Sequence, residues 1–420
     1  MNSQLGQGWG RKLETGFLVA LIIFAMGGSL PRPFPGVLNS ALNALGYGIL
    51  FPLFAWRWKQ LLYVATRDIP WLLLTVISIA SIFWSAAPQV TLTDIRPFIR
   101  ASLLGLYLAR YYSIKDLIRL LTWIFSIVTI LSLVFVLVLP GSATHDGSIG
   151  SPWRGIFLYK NILARIATLA AMLYLTIAID NRRRRWVALT GFSLAVALLL
   201  GSQGKTSLAS FFILLCLLPI YISVKQNYKL QMALYTVLVL LGGWAVIWSA
   251  SNFETIIVDG LHKDLTFSGR KIIWDLSLEK AWERPWLGYG YVGFWPSDEA
   301  SYVLNNTWAY ESKAAGIRFN AHSNFIDLFL QVGGIGLALY VVNYLTAFLR
   351  VAALLSLTRN IEFLWMLQFV VGQTLFNLSD SATLLSGDGL WTIYLSIVFS
   401  TALQYNRYRR KIRSRELVPG

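Results

Sequence analysis

Cysteine is all but missing from this chain. Cys216 stands alone inside an apolar run, which excludes an intrachain disulfide and a cysteine-built metal cluster. Charge is scarce too: 13% of the 420 residues are Asp, Glu, Lys or Arg while 56% are hydrophobic, a balance that excludes a soluble domain of this length. The apolar runs also lack strand-like alternation. Leu117 to Leu139 is apolar on nearly every side, whereas barrel strands would be segments of about 10 residues alternating in polarity. No small-residue cleavage site follows the first run, where Gly28-Ser29-Leu30-Pro31-Arg32-Pro33 stands, so no cleaved signal peptide is expected.

What the sequence does have is a series of stretches long enough to cross roughly 30 Å of hydrocarbon at 1.5 Å per residue. Spans are read near 14–31, 37–56, 69–86, 95–113, 116–140, 157–180, 186–202, 205–224, 231–250, 323–349, 361–379 and 389–405. The expected fold is all-α, a polytopic membrane helix bundle of about twelve transmembrane helices. Its formal net charge of +16 could suggest a nucleic-acid partner, but the charge is distributed by topology. With the N-terminus inside, Arg11/Lys12, Arg57/Lys59/Arg67, Arg110/Lys115/Arg119, Arg182 to Arg185, Lys225/Lys229, Arg350/Arg359 and the tail Arg407 to Arg415 all fall on one side. That is the positive-inside signature of short cytoplasmic loops, and no nucleic acid is implied. Contact of the tail with anionic membrane lipid is a secondary reading.

The chain divides into N-terminal spans (1–150), a core (151–350) and C-terminal spans with a basic cytoplasmic tail (351–420). One large extracytoplasmic loop, 251–322, lies within the core. It contains a helix candidate with Ser268 as N-cap, Ile272, Ile273, Leu276 and Ala281 on one face, and Pro285 as the stop. Two motifs mislead. Gly288-Tyr289-Gly290-Tyr291-Val292-Gly293 fits the dinucleotide pattern but follows no strand, and Gly204-Lys205-Thr206 resembles the end of a P-loop whose first glycine is replaced by Leu199. No Asp-x-Asp pair stands on the outer side to hold a divalent metal, so neither a metal nor a cofactor is expected.

Cations gather at the outer face: Arg96 and Arg100 on one helix face, then Arg154, Lys160, Arg165, Lys205, Arg270 and Arg318, several at the very ends of apolar spans. Singly, each would snorkel to lipid phosphate. Converging from separate loops, they suit a diphosphate leaving group, which needs several cations or helix N-termini aimed at one point. His322 opens the tenth span in Phe319-Asn320-Ala321-His322-Ser323-Asn324, and a cation-rich face favours a neutral imidazole able to accept a proton. His145 and His262 read as solvated or capping residues.

At these residues the chain resembles the superfamily of bacterial O-antigen ligases and polymerases, including the exopolysaccharide polymerases. His322-Ser323 followed by Gly333-Gly334-Ile335-Gly336 matches the family's H-[NS]-x9-G-x-x-G signature. Trp153-Arg154-Gly155-Ile156-Phe157 with Lys160-Asn161 is similar to its G-x-F-x-x-K-N segment. Ser268-Gly269-Arg270 with Trp274, then Pro285-Trp286-Leu287-Gly288-Tyr289-Gly290, looks like its S-G-R-x3-W and P-x-x-G-x-G stretch. There are departures: Gln203-Gly204-Lys205-Thr206 replaces the ligases' arginine motif, trading a bidentate fork for a point charge, and Ala164 stands where many relatives have Gly.

The resemblance implies an inverting, metal-independent glycosyl transfer on the outer face of the bacterial inner membrane. The donor would be a polyprenyl-diphosphate-linked oligosaccharide and the acceptor a glycan or lipid. His322 would be the general base, and Arg270 with Lys205 and Lys160 would offset the charge of the departing diphosphate. Asn161, Arg154, Arg96, Arg100, Trp274 and Ser323 complete the expected substrate-binding set, with Trp274 and Tyr289 as candidate sugar-stacking rings. The alternatives are ligation to lipid A-core or to a protein and, in another class, transport of the lipid-linked sugar. A transporter would place charges near the midplane, not at the outer boundary. The topology is checked by reporter fusions: one after Arg185 and one near Asn306 are expected to report opposite compartments.

Overall fold

The computed structural model describes residues 2–27, 54–148, 150–224, 269–311, 318–379 and 385–416, with a few positions between 44 and 52 and at 230. The spans expected at 231–250 and over most of 37–56, with His262 and Ser268, lie outside these residues. Twelve helices carry the described chain: α1 (Asn2–Gly27), α2 (Trp58–Ala65), α3 (Ile69–Ala80), α4 (Pro88–Tyr111), α5 (Ile114–Val138), α6 (Lys160–Asp180), α7 (Arg185–Ser202), α8 (Lys205–Leu215), α9 (Arg270–Glu283), α10 (Asn324–Thr358), α11 (Glu362–Ser379) and α12 (Gly389–Glu416). Shorter helices, Pro140–Ala143, Leu218–Val224 and Ser301–Asn305, and brief 3-10 turns lie between them. Apart from one bridge between Thr144 and Trp153, no β pairing occurs among the described residues.

By length and composition five described helices can cross a membrane, or six if α2 and α3, bent by 112°, form one broken span. The twelve-span reading therefore rests on the sequence. The helix starts follow capping rules. Ser113 accepts the Asp116 N–H at 3.2 Å ahead of α5, and Asp68 accepts the Trp71 N–H at 3.2 Å ahead of α3, which has Pro70 in its first turn. Asn181 ends α6 and turns the chain by accepting the N–H groups of Arg183 and Arg184 at 3.1 and 3.2 Å.

The bundle centres on α6. Its apolar window is 78% buried, against 39% for α5 and 28% for α7, which marks α5 and α7 as the lipid-facing neighbours. The first and last thirds of the chain also pack together, for α12 lies on α4 so closely that a Cβ at Gly105 would stand 2.7 Å from the Cβ of Leu395. A buried polar knot ties α3, α10 and α12. Asp68 accepts from Asn343 Nδ2 at 2.9 Å and from Arg350 Nη1 at 2.7 Å, and Tyr394 donates to Asn343 Oδ1 at 2.7 Å.

The described part of the large loop has its own small core, built on Ile273, Ala281, Tyr289, Phe294, Trp295 and Val303. Its helix α9 ends before Pro285 as expected, but the buried face is Ile273, Ser277 and Ala281, spaced four apart. Ile272, expected inward, is 51% exposed, because it lies about 100° around the helix from Ile273. The loop is fastened to α10 where Gly333 breaks that helix (φ 67°, ψ −172°). Gly334 N–H donates to Pro285 O at 2.7 Å and Tyr289 N–H to Leu330 O at 2.7 Å. The glycine-rich stretch at 288–293 is thus a docking strap. A Cβ at Gly288 would meet Leu330 O at 2.4 Å, and one at Gly290 the Cα of Ser85 at 2.6 Å.

The polar knot makes a stability prediction. Removing one partner of a buried ion pair costs about 3 to 5 kcal/mol, whereas an exposed pair contributes about 0 to 1 kcal/mol. Asp68→Ala is expected to lower the unfolding temperature in detergent sharply. Asp275→Ala, which breaks the surface pair of Lys271 and Asp275, is expected to leave it nearly unchanged.

Candidate functional site

Three helices begin with a cation at one cavity. Lys160 is the first residue of α6, Lys205 of α8 and Arg270 of α9, and all three line a cavity of about 280 Å³ with Asn161, Arg165 and Phe376. None of the three first turns contains an acidic residue, and none of the three N-caps makes a side-chain capping bond. A cation at a helix N-terminus opposes the helix dipole and is disfavoured unless an anion sits between them. Three such starts lining one cavity are an arrangement that suits an anion. Among the described residues the cavity lining contains cations, amides and hydroxyls and no carboxylate.

Local sequence explains how the starts meet. Gln203 closes α7 in the left-handed conformation (φ 54°), turning the chain at once into α8. Gly204 then sits so near α6 that an added Cβ would stand 2.6 Å from that of Ala164. A glycine at 204 is therefore what makes room for the alanine at 164. Trp153 fixes the other side, its N–H donating to Gly201 O at 2.8 Å while its ring occupies the space of a Gly201 side chain.

Arg165 is the cation that the sequence left among the outer charges without a role. It is 4% exposed, one turn beyond Asn161, whose carbonyl accepts its Nε at 3.2 Å. The available signal was its place in an apolar span, where an arginine must face protein or a polar cavity. Asp388, in the turn before α12, senses the same charge. Burial pushes its carboxyl up to about 7, opposed by the N–H of Leu390 and by Arg165.

His322 does not line this cavity, but its neighbours bond residues that sit beside the lining. Asn324 Nδ2 donates to Asn377 Oδ1, next to the cavity residue Phe376, and Trp274, one turn beyond Arg270, donates Nε1 to Ala321 O at 2.8 Å. The backbone at His322 has φ 52°, a conformation few side-chain-bearing residues adopt. It is held from several sides. Asp327 accepts the Ala321 N–H at 3.2 and 3.3 Å and Trp295 Nε1 at 2.6 Å, and Asn320 Oδ1 accepts the His322 N–H at 2.9 Å. A strained residue pinned this firmly is characteristic of a functional position. Ser323, buried, is the N-cap of α10 and receives the Asp327 N–H on its carbonyl at 3.0 Å.

The other expected residues lie elsewhere. Arg154 donates Nε to Ser142 O at 3.0 Å, bracing its own loop. Arg100 stands over the Tyr47 ring at 4.7 Å, Arg96 is exposed, and Arg318 pairs with Asp94; none of the four lines the cavity. Tyr289 is fully buried, with its hydroxyl on Lys280 O at 2.9 Å, and offers no face for a sugar. Burial raises its phenol to about 12.

Residues 190–341 match the family described as O-antigen ligase. The chain is also 28% identical over 339 residues to the exopolysaccharide production protein ExoQ of Rhizobium meliloti (strain 1021), an alignment spanning 79% of this chain and 75% of that protein. The family likeness read from the motifs stands. The matched segment runs through Lys205, Arg270 and His322, while Lys160 and Arg165 precede it.

The close approach at Gly204 is testable. Overpacking a tight contact costs about 1 to 3 kcal/mol. Gly204→Ala is expected to lower the unfolding temperature, and adding Ala164→Gly to recover part of the loss, since the clash goes but α6 then carries a helix-weakening glycine.

Proposed function

We propose that this chain is a membrane glycosyltransferase that moves or polymerises a polyprenyl-diphosphate-linked glycan in exopolysaccharide synthesis. In this reading the core is residues 151–350, and the site faces the extracytoplasmic side of the bacterial inner membrane. The observation that carries it is the cavity formed by Lys160, Arg165, Lys205 and Arg270 at three uncapped helix starts, beside a pinned histidine. The printed name of the exopolysaccharide relative supports the choice of polymer. The family description supports a second reading, ligation of the same donor to a lipid or protein acceptor.

The chemistry follows from the arrangement. His322 takes the proton of an acceptor hydroxyl as its oxygen attacks the anomeric carbon, and the bond from that carbon to the diphosphate oxygen breaks on the opposite face, inverting the configuration. The departing diphosphate gains charge, and the cations with the N–H groups of the α6, α8 and α9 starts are already oriented to receive it. A lining of cations and amides suits phosphate oxygens and repels a divalent ion, so the reaction is written without a metal. Lys205 serves as a point charge, and an arginine there would keep that charge.

The test is a purified assay in lipid nanodiscs with a lipid-linked oligosaccharide donor. His322→Ala is expected to lower kcat by about 10²- to 10⁴-fold while donor binding is kept. Arg270→Ala and Lys205→Ala are expected to lose about 10²- to 10³-fold, with Lys205→Arg milder. Chelator is expected to change nothing. Near-normal turnover by His322→Ala, or inhibition by chelator, removes the mechanism; normal turnover by both cation variants returns those side chains to lipid contact.

A further inference from the structure

Trp308 lies where neither the cavity nor the motifs direct attention. The turn after Ser301–Asn305 is tightly made: Thr307 Oγ1 donates to Val303 O at 2.9 Å, Tyr310 N–H reaches Thr307 O at 3.2 Å, and Ala309 is wholly buried. This turn presents the indole beside His322, with ring centres 5.8 Å apart and planes tilted by only 33°. Phe319 meets the indole edge-on at 5.4 Å and 72°. On a further side is Gly269, the residue before Arg270, whose added Cβ would stand 2.9 Å from indole Cδ1. Gly269 also has φ 76°, so its missing side chain serves both the start of α9 and the seat of the indole.

The indole is thus fixed by Phe319, Gly269 and His322, yet 45% of it stays exposed, against 9% for Phe319. A ring held in place with one face open is a ready surface for stacking. Interfacial tryptophans are a different case. Trp282 and Trp286, at 68% and 71% exposure, fit a membrane-surface belt, whereas Trp308 is wedged between the histidine and the helix that starts with Arg270.

We infer that Trp308 is the platform for the acceptor sugar: the apolar C–H face of a pyranose at the end of a glycan stacks on the indole, so that one of its ring hydroxyls reaches the imidazole of His322. The inference deepens the proposed function and rests on His322 acting as base. It places the acceptor on the loop side and the diphosphate in the cationic cavity, with α9 between them carrying Arg270 towards the cavity and Gly269 beside the indole. Stacking reads ring shape and not charge, so a neutral or a uronic pyranose would fit equally.

The test separates acceptor from donor. The probe is the oligosaccharide released by mild acid from the producing strain's lipid-linked intermediates, free of diphosphate, and binding to the full chain in nanodiscs is read by saturation-transfer NMR. Trp308→Leu is expected to weaken it about tenfold and Trp308→Phe about threefold, while affinity for inorganic pyrophosphate stays within twofold in both. In turnover, KM for the acceptor rises and KM for the donor holds. Equal oligosaccharide affinity in Trp308→Leu, no binding by the unaltered chain, or a parallel fall in pyrophosphate affinity overturns the assignment, the last indicating a purely structural ring. The binding comparison needs no turnover. A failure of His322→Ala to stop transfer therefore removes the base while leaving the platform decided on its own data.

Discussion

The break in α10 at Gly333 is the constraint from which the outer half of the molecule follows. A continuous helix would satisfy its own N–H groups and leave the loop nothing to hold. With Gly333 at φ 67°, Gly334 and Ile335 donate instead to the carbonyls of Pro285 and Trp286, and an added Cβ at Gly333 would stand 2.2 Å from Trp286. The loop is spliced into the helix that begins just after His322. Through that splice α9 is positioned, Trp274 reaches the carbonyl of Ala321, and the backbone of His322 is pinned. One left-handed glycine thereby couples the cation-lined corner to the histidine.

Electrostatics makes the corner costly without an anion. Two like charges about 8 Å apart repel by about 2 kcal/mol at an effective dielectric of about 20, and helix N-termini add to the same sign. Lys160, Arg165, Lys205 and Arg270 at one cavity would be an expensive way to decorate a membrane protein whose cations could snorkel to lipid. The arrangement becomes favourable when a polyanion is present, and so it is suited to charge that accumulates during a reaction.

One polar set inside the bundle is closed among its own members. Asp68, Asn343, Arg350 and Tyr394 answer one another inside the helices. Lys160, Lys205 and Arg270, by contrast, open into a cavity.

The sequence by itself determined the solvent, the helical class and the residues at the helix starts. Composition and span length read out as membrane helices because hydrocarbon leaves a backbone no other way to pair its polar groups here. Lys160, Lys205, Arg270 and His322 were legible because each stands near the start of a span or of the loop helix and falls on a family motif. What only the tertiary structure decided was which cations share a space. Arg165 joins Lys160, Lys205 and Arg270, while Arg96, Arg100 and Arg154 turn to other partners. Tyr289 proved to be core and Trp308 an open face, although both are loop aromatics of similar sequence setting. Periodicity reports one element at a time, whereas burial and convergence are set where distant elements meet: Gly204 against Ala164, Gly269 against Trp308, Gly333 against Trp286. Those contacts depend on backbone approach in three dimensions, which no spacing along the chain encodes.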